Sequence, residues 1–169
     1  MSTPLVVAVV LNWNAVEETI ECVNSLLNSS YKNLQIVIVD NFSTDDSIKV
    51  IKKTFPTIKL ICNSFNNGYA GGNNLGIKWA LNLGADYILI LNNDVTVDFS
   101  MVGVLVESVE KNEKIGLISG KVFYKDNTNR IFSGAGRFIK WRCTGVNRGT
   151  TFRRFYSHNR ECSVNYISG

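Results

Sequence analysis

One histidine, two prolines and four cysteines are scattered through 169 residues, and each scarcity removes a class of explanation. Cys22, Cys62, Cys143 and Cys162 form no Cys-x-x-Cys pair, so they supply no zinc framework. The lone His158, set among Arg154, Tyr156 and Arg160, fits a solvated residue better than a general base. No apolar run approaches the ~18–20 residues that span a bilayer. The run from Pro4 to Leu11 lacks the basic flank and cleavage site of a secretory signal, which favours a cytoplasmic, reducing location. With few prolines and 19% charged residues, the composition is neither disordered nor collagen-like. Two nucleotide-binding fingerprints are also missing. The first strand-to-helix turn, Leu11-Asn12-Trp13-Asn14-Ala15, contains no glycine for a GxGxxG loop, and GxxxxGK[ST] occurs nowhere.

What is present is a chain of one-domain length in which 45% of residues are hydrophobic. Short β-branched runs alternate with helical patterns over the first hundred residues, which predicts parallel strands joined by crossover helices. The continuously apolar run Leu5–Leu11 suits a strand covered on both faces. A helix over 17–28 should bury Val16, Ile20, Val23 and Leu27. A strand over 34–39 precedes a helix capped by Ser43, with Asp45 and Asp46 favouring its dipole. A strand follows at 58–62, a polar glycine-bearing turn at 63–74, and a helix over 75–83 that Gly84 ends. Further strands are expected at 86–91 and 115–119, with a helix over 98–112 between them. Beyond Lys121, the short runs at 123–124, 131–132 and 138–139 look antiparallel.

Charge is unevenly spread: residues 1–100 carry 6 Lys/Arg against 9 Asp/Glu, and residues 101–169 carry 12 against 5. The basic run Arg137, Lys140, Arg142, Arg148, Arg153, Arg154 and Arg160 suits either an anionic partner or a solvated hairpin.

In an open α/β sheet, ligands bind outside the carboxyl ends of the strands. Those ends read Asn12-Trp13-Asn14, Asp40-Asn41, Asn63 to Gly72, and Asn92-Asn93-Asp94, and only Asp40 and Asp94 are acids directly following a strand. Asp86 precedes its strand and belongs to the opposite edge. A carboxylate beside neutral amides can accept from a ligand N–H or hold a hard cation such as Mg2+ or Mn2+ that bridges phosphates. The same residue types also cap turns and helices.

Four segments in order then resemble glycosyltransferase family 2, particularly its rhamnosyltransferase-like members. They are Val9-Val10-Leu11-Asn12-Trp13-Asn14, Val37-Ile38-Val39-Asp40-Asn41-Phe42-Ser43, Asn66-Asn67-Gly68-Tyr69-Ala70-Gly71-Gly72-Asn73-Asn74-Leu75-Gly76 and Leu91-Asn92-Asn93-Asp94. Gly120–Tyr124 and Val164–Gly169 are similar to later family segments. The resemblance implies a GT-A fold: a Rossmann-like, mainly parallel sheet flanked by helices, with a partial antiparallel C-terminal part. Within a single domain, residues 1–100 would be the nucleotide-sugar-binding half and 101–169 the start of the acceptor half. Asp40 would bind the donor base, with Asn12, Asn14 and the flat face of Trp13 in the same pocket. Asn41, Ser43, Asn67, Gly68, Gly71 and Asn74 would line the donor site. Asn92-Asn93-Asp94 occupies the family's DxD position, but its first acid is replaced by Asn92, leaving Asp94 as the charged metal ligand beside Asn92 and Asn93.

The resemblance further implies inverting transfer of a sugar from a dTDP- or UDP-linked donor, dTDP-rhamnose by family likeness, to a glycan or lipid-linked acceptor. It places the catalytic base beyond Gly169, so that this chain would bind nucleotide and transfer sugar slowly or not at all. The implied setting is the cytoplasm or the inner membrane face, with peripheral membrane contact, with pairing of two copies through uncovered sheet, and without nucleic acid. Two alternatives stand beside it: a binding or interaction module without turnover, and a sugar-phosphate nucleotidylyltransferase.

Overall fold

The computed structural model describes residues 3–112, 114–125, 130–133, 135–139, 142–146 and 165–168. The chain divides into two compact units, residues 1–95 and 96–169. The first unit runs β1 (Val6–Asn12), α1 (Val16–Leu27), β2 (Leu34–Asp40), α2 (Ser47–Thr54), β3 (Lys59–Cys62), α3 (Gly68–Asn82) and β4 (Tyr87–Asn92). Its four strands form one parallel sheet in the order β3-β2-β1-β4. Right-handed crossovers then place α1 and α2 on one face and α3 on the other. Val7, Val9, Val37 and Val39 meet Ala80 of α3 in a buried cluster edged by Leu75 and Trp79. The alternate residues Val6, Ala8, Val10, Ile36 and Ile38 are buried as well, which is why β1 is apolar without a break.

The register levels the carboxyl ends of the strands. Asn12 pairs with Asp40, Asp40 with Cys62, and Leu11 with Asn92. At the opposite edge the Leu5 amide donates to the Asp86 carboxylate at 2.7 Å, so Asp86 anchors the entry to β4 as its position suggested. Gly84 stops α3 as expected. At φ +80 it forms a Schellman end, with Ala85 N–H bonded to Ala80 O at 3.1 Å and Gly84 N–H to Leu81 O at 3.0 Å.

Several expectations need correcting. The glycine-bearing stretch expected as a turn is the first two turns of α3, which starts at Gly68 rather than Leu75. Gly72 and Gly76 lie where a Cβ would strike Leu11 and Val9, so the missing side chains let this helix settle onto β1. The buried face of α1 is Val16, Thr19, Cys22, Val23 and Leu26, rotated from the expected stripe, and Leu27 is 55% exposed. Ser43 does not cap α2: its hydroxyl goes to Asp40, and the Asp45 carboxylate takes the Ser47 amide at 3.0 Å instead. Residues 115–119 form no strand. Leu117 is 82% exposed, and pairing resumes only at Lys121.

From the unit boundary onward the chain forms β5 (Val95–Val97), α4 (Met101–Glu110), β6 (Lys121–Tyr124), β7 (Ile131–Ser133), β8 (Ala135–Ile139), β9 (Arg142–Val146) and β10 (Asn165–Ser168). One sheet has the order β5-β10-β6-β7, with β10 parallel to β6 and β7 antiparallel to it; β8 and β9 make an antiparallel pair. The Tyr124 and Phe132 rings meet edge to face at 5.3 Å, and the Arg130 guanidinium lies 4.8 Å from the Tyr124 ring centre. Of the basic run, only the backbones of Arg137 and Arg142 are described. Lys140, Arg148, Arg153, Arg154, Arg160, His158 and Cys162 lie outside the described residues. Among the described residues no helix is long and apolar enough to cross a membrane.

Candidate functional site

From β1 the chain winds outward through β2 to β3, then returns to place β4 on the other side of β1. The winding direction reverses between β1 and β4, and a crevice opens at the carboxyl ends of strands flanking such a switch point. Asn12-Trp13-Asn14 and Asn92-Asn93-Asp94 stand on either side of it, all in the first unit.

Asn12 and Asp40 end adjacent strands and are both 0% exposed, so their polar atoms need partners. The Asn12 Nδ2 donates to Asp40 Oδ1 at 2.8 Å and to Ser43 Oγ at 3.1 Å. The Ser43 hydroxyl donates to Asp40 Oδ1 at 2.6 Å, and its backbone N–H to Oδ2 at 2.9 Å. Asp40 thus accepts three hydrogen bonds from its own chain and, in this conformation, ties the β1 and β2 loops together. Asn14 completes the tie: its N–H donates to Ser43 Oγ at 2.9 Å, and its Oδ1 accepts the Thr44 N–H at 2.7 Å. Asn14 at φ 50 and Phe42 at φ 70 are the positive-φ non-glycine residues of the described chain, and both sit in these joined loops.

Asn41, 3% exposed, does the same for the loop after β3. Its Nδ2 donates to Asn66 Oδ1 at 2.9 Å and Gly68 O at 3.2 Å, while its Oδ1 accepts from Asn63 Nδ2 and Asn67 N–H, each at 3.1 Å. Gly71 lies under Asn67, whose Cβ leaves no room for another. Asn74 is exposed, whereas its neighbour Asn73 is buried, with Nδ2 donating to Tyr69 O at 3.0 Å and Oδ1 lacking a protein partner. Trp13, just after β1, is 55% exposed.

On the β4 side, Asn92 ends the strand and Asn93-Asp94 make the turn into β5. Asn92 and Asp94 are exposed, while half-buried Asn93 turns back to α1, its Nδ2 donating to Ala15 O at 3.2 Å and Thr19 Oγ1 at 3.1 Å. Behind the turn the Cys22 thiol donates to Asn92 O at 3.6 Å. Burial first, then the negative charges of Asp94 and Glu21, push its pKa up to about 12. Among the described residues no cluster of three or more His, Cys, Asp or Glu could hold a metal. One exposed carboxylate with the Asn92 amide beside it is an all-oxygen, underfilled donor set. It fits a hard cation shared with phosphate oxygens, not one caged by protein alone.

The expected residues therefore fall into two kinds. Asn12, Asn14, Asp40, Ser43 and Asn93 form one bonded network, and Asn41 joins Asn67 and Gly68 in a second. Trp13, Asn74, Asn92 and Asp94 face outward. Thr19, which completes the first network, carried no signal in the sequence beyond a hydroxyl on an otherwise apolar helix face.

The profile described as Glycosyl transferase family 2 matches residues 7–165. An uncharacterized glycosyltransferase of Haemophilus influenzae is 30% identical over 115 residues, covering 66% of this chain and 35% of that protein. The Escherichia coli UDP-Glc:alpha-D-GlcNAc-diphosphoundecaprenol beta-1,3-glucosyltransferase WfaP is 34% identical over 92 residues, covering 53% of this chain and 35% of its own. A mannosyltransferase from Pyrobaculum calidifontis, solved with GDP-Man and Mn2+, superposes with a TM-score of 0.56 at 21% identity, covering 73% of this chain and 36% of that one. The architecture is thus the GT-A arrangement of a parallel sheet flanked by helices, and the chain spans about a third of the length of each of these proteins.

Proposed function

The chain belongs to glycosyl transferase family 2, and on that footing we propose that residues 1–95 bind a nucleoside-diphosphate sugar for transfer to a glycan or lipid-linked acceptor. The observation that carries this reading is the convergence of Asn12, Asp40 and the Asn92-Asn93-Asp94 turn at the switch point of the sheet. The base lies toward the β1 and β2 loops, stacked on exposed Trp13, with Asp40 fixing that wall. A base contacts the Asp40 carboxylate directly only once the Ser43 atoms covering it yield. The diphosphate lies toward β4, where Asp94 and the Asn92 amide would hold Mg2+ or Mn2+ with phosphate oxygens completing the shell. Asn67, Gly68, Gly71 and Asn74 border the donor at the start of α3, whose first amides face the same edge.

A bound divalent cation would offset the charge that builds on a departing nucleoside diphosphate. In inverting transfer the acceptor hydroxyl attacks the anomeric carbon, loses its proton to a base and displaces the nucleoside diphosphate. No described residue is assigned as that base. The donor is read as UDP- or dTDP-linked, with rhamnose the sugar favoured by family likeness. Activated sugars and lipid-diphosphate acceptors meet at the cytoplasmic membrane face, which is the location proposed. Family membership sets aside the nucleotidylyltransferase alternative.

Calorimetry with UDP, dTDP and GDP, each with and without Mn2+ or Mg2+, tests the reading. Saturable binding that the metal tightens is expected for at least one nucleotide. Absence of heat with all three in either metal overturns it.

A further inference from the structure

Thr19 stands one turn into α1 on a face otherwise made of Val16, Cys22, Val23 and Leu26, and it is 0% exposed. A hydroxyl buried among apolar groups is costly unless bonded, and this one has three polar atoms in reach, two of them oxygens that compete for its single proton. Ala15 O, at 2.8 Å, is the local carbonyl that helical threonines ordinarily take. The other two come from elsewhere: Asn12 Oδ1 at the end of β1, at 2.7 Å, and Asn93 Nδ2 in the turn after β4, at 3.1 Å.

The charge on Asp40 decides how the protons run. A carboxylate accepts only, so Asn12 must present Nδ2 to it, and Asn12 Oδ1 therefore faces Thr19. The single Thr19 proton then goes to Asn12 rather than to Ala15 O, which accepts the Thr19 backbone N–H and an N–H of Asn93 instead. A lone pair of the hydroxyl takes the other N–H of Asn93. Every donor in the series Asn93, Thr19, Asn12 points toward Asp40, an arrangement in which each bond polarises the next. The series also turns the Asn93 amide so that Nδ2 faces α1, leaving Oδ1 as the atom α1 does not hold.

We propose that Thr19 is a positioning residue for donor binding: its hydroxyl fixes the Asn93-Asp94 turn to Asn12 and Asp40, so that the two ends of the site are set by one bonded series. What those ends bind rests on the function proposed above; the coupling between them does not.

The test compares Thr19→Val, which keeps the shape without the hydroxyl, with Thr19→Ser, which keeps the hydroxyl, in the full chain. Amide hydrogen exchange is read at Asn41–Ser43 and Asn93–Asp94, and UDP, dTDP and GDP binding is titrated with and without Mn2+. In Thr19→Val, exchange should quicken at both ends. The tightening of nucleotide binding by Mn2+ should shrink about tenfold, the factor one lost buried hydrogen bond represents, and Thr19→Ser should stay within about threefold of the parent. Faster exchange confined to α1, an unchanged metal effect, or equal losses in both variants would overturn the assignment. Should the parent bind no nucleotide, the function proposed above fails while the coupling is decided by exchange alone, spread to both ends sustaining it and confinement to α1 refuting it. If Thr19→Val does not fold, Asn93→Ala cuts the same series from its half-exposed end, and exchange at Asn41–Ser43 is read identically.

Discussion

Cys22 and Asp94 share one turn of the site from opposite sides, the thiol buried at 0% exposure and the carboxylate in solvent. With its pKa pushed up to about 12, the Cys22 thiol stays protonated in the folded chain well above the pH at which an unfolded one ionises. This contribution to stability is intact below about pH 9 and fades as pH climbs toward 12, because the unfolded chain releases the proton first. Urea midpoints at pH 8 and pH 10 should therefore fall more for the parent than for Cys22→Ala. Iodoacetamide at pH 8 should label exposed Cys62 in the native protein and leave Cys22 unreacted. Native labelling of Cys22 would mean that the turn opens. At this scale the clustering of these residues at one edge was readable in the sequence, because polar turns directly after the strands of an open α/β sheet gather at its carboxyl end. Thr19 was not, since its role comes from two partners 7 and 74 residues distant.

Among the elements, β1 was legible because a strand buried on both faces has no polar residue to blur it. The start of α3 was not. Glycine costs about 1 kcal/mol relative to alanine in a helix, so a segment with three of them, Gly68, Gly71 and Gly72, reads as a turn until the sheet beneath is known. Gly76 and Gly84 separate the two uses of the residue. At Gly76 a Cβ would collide with the buried Val9 side chain and approach Val39 at 3.2 Å. Alanine there should destabilise by about 1–3 kcal/mol despite its better helix propensity, and Val9→Ala should recover part of the loss. At Gly84 nothing lies within 4 Å, and the cost of alanine, about 1 kcal/mol, should come from φ +80 alone and be indifferent to Val9. Chemical denaturation of the two single variants and their Val9→Ala doubles checks both. The absent strand at 115–119 teaches the complementary lesson: an apolar run becomes a strand only where a neighbouring strand offers hydrogen bonds, and here the pairing goes to Lys121–Tyr124.

For the whole molecule, the order of elements in residues 1–95 was fixed by period and spacing, while the later part carries short runs whose pairing no local pattern determines. That difference matches where the proposed chemistry lies. The acidic first hundred residues hold the candidate site, and its two strand-end carboxylates differ: Asp40 is enclosed by three bonds, and Asp94 is exposed. On the function proposed above, the nucleotide would be held through neutral loops and metal recruited only together with a diphosphate. Titration of the best-bound nucleoside diphosphate into the parent and into Asp94→Ala, with and without Mn2+, reads that division directly. Metal should tighten binding to the parent roughly tenfold or more, while Asp94→Ala should bind equally in both buffers, near the metal-free affinity of the parent. Equal tightening by Mn2+ in parent and variant would contradict the role given to Asp94.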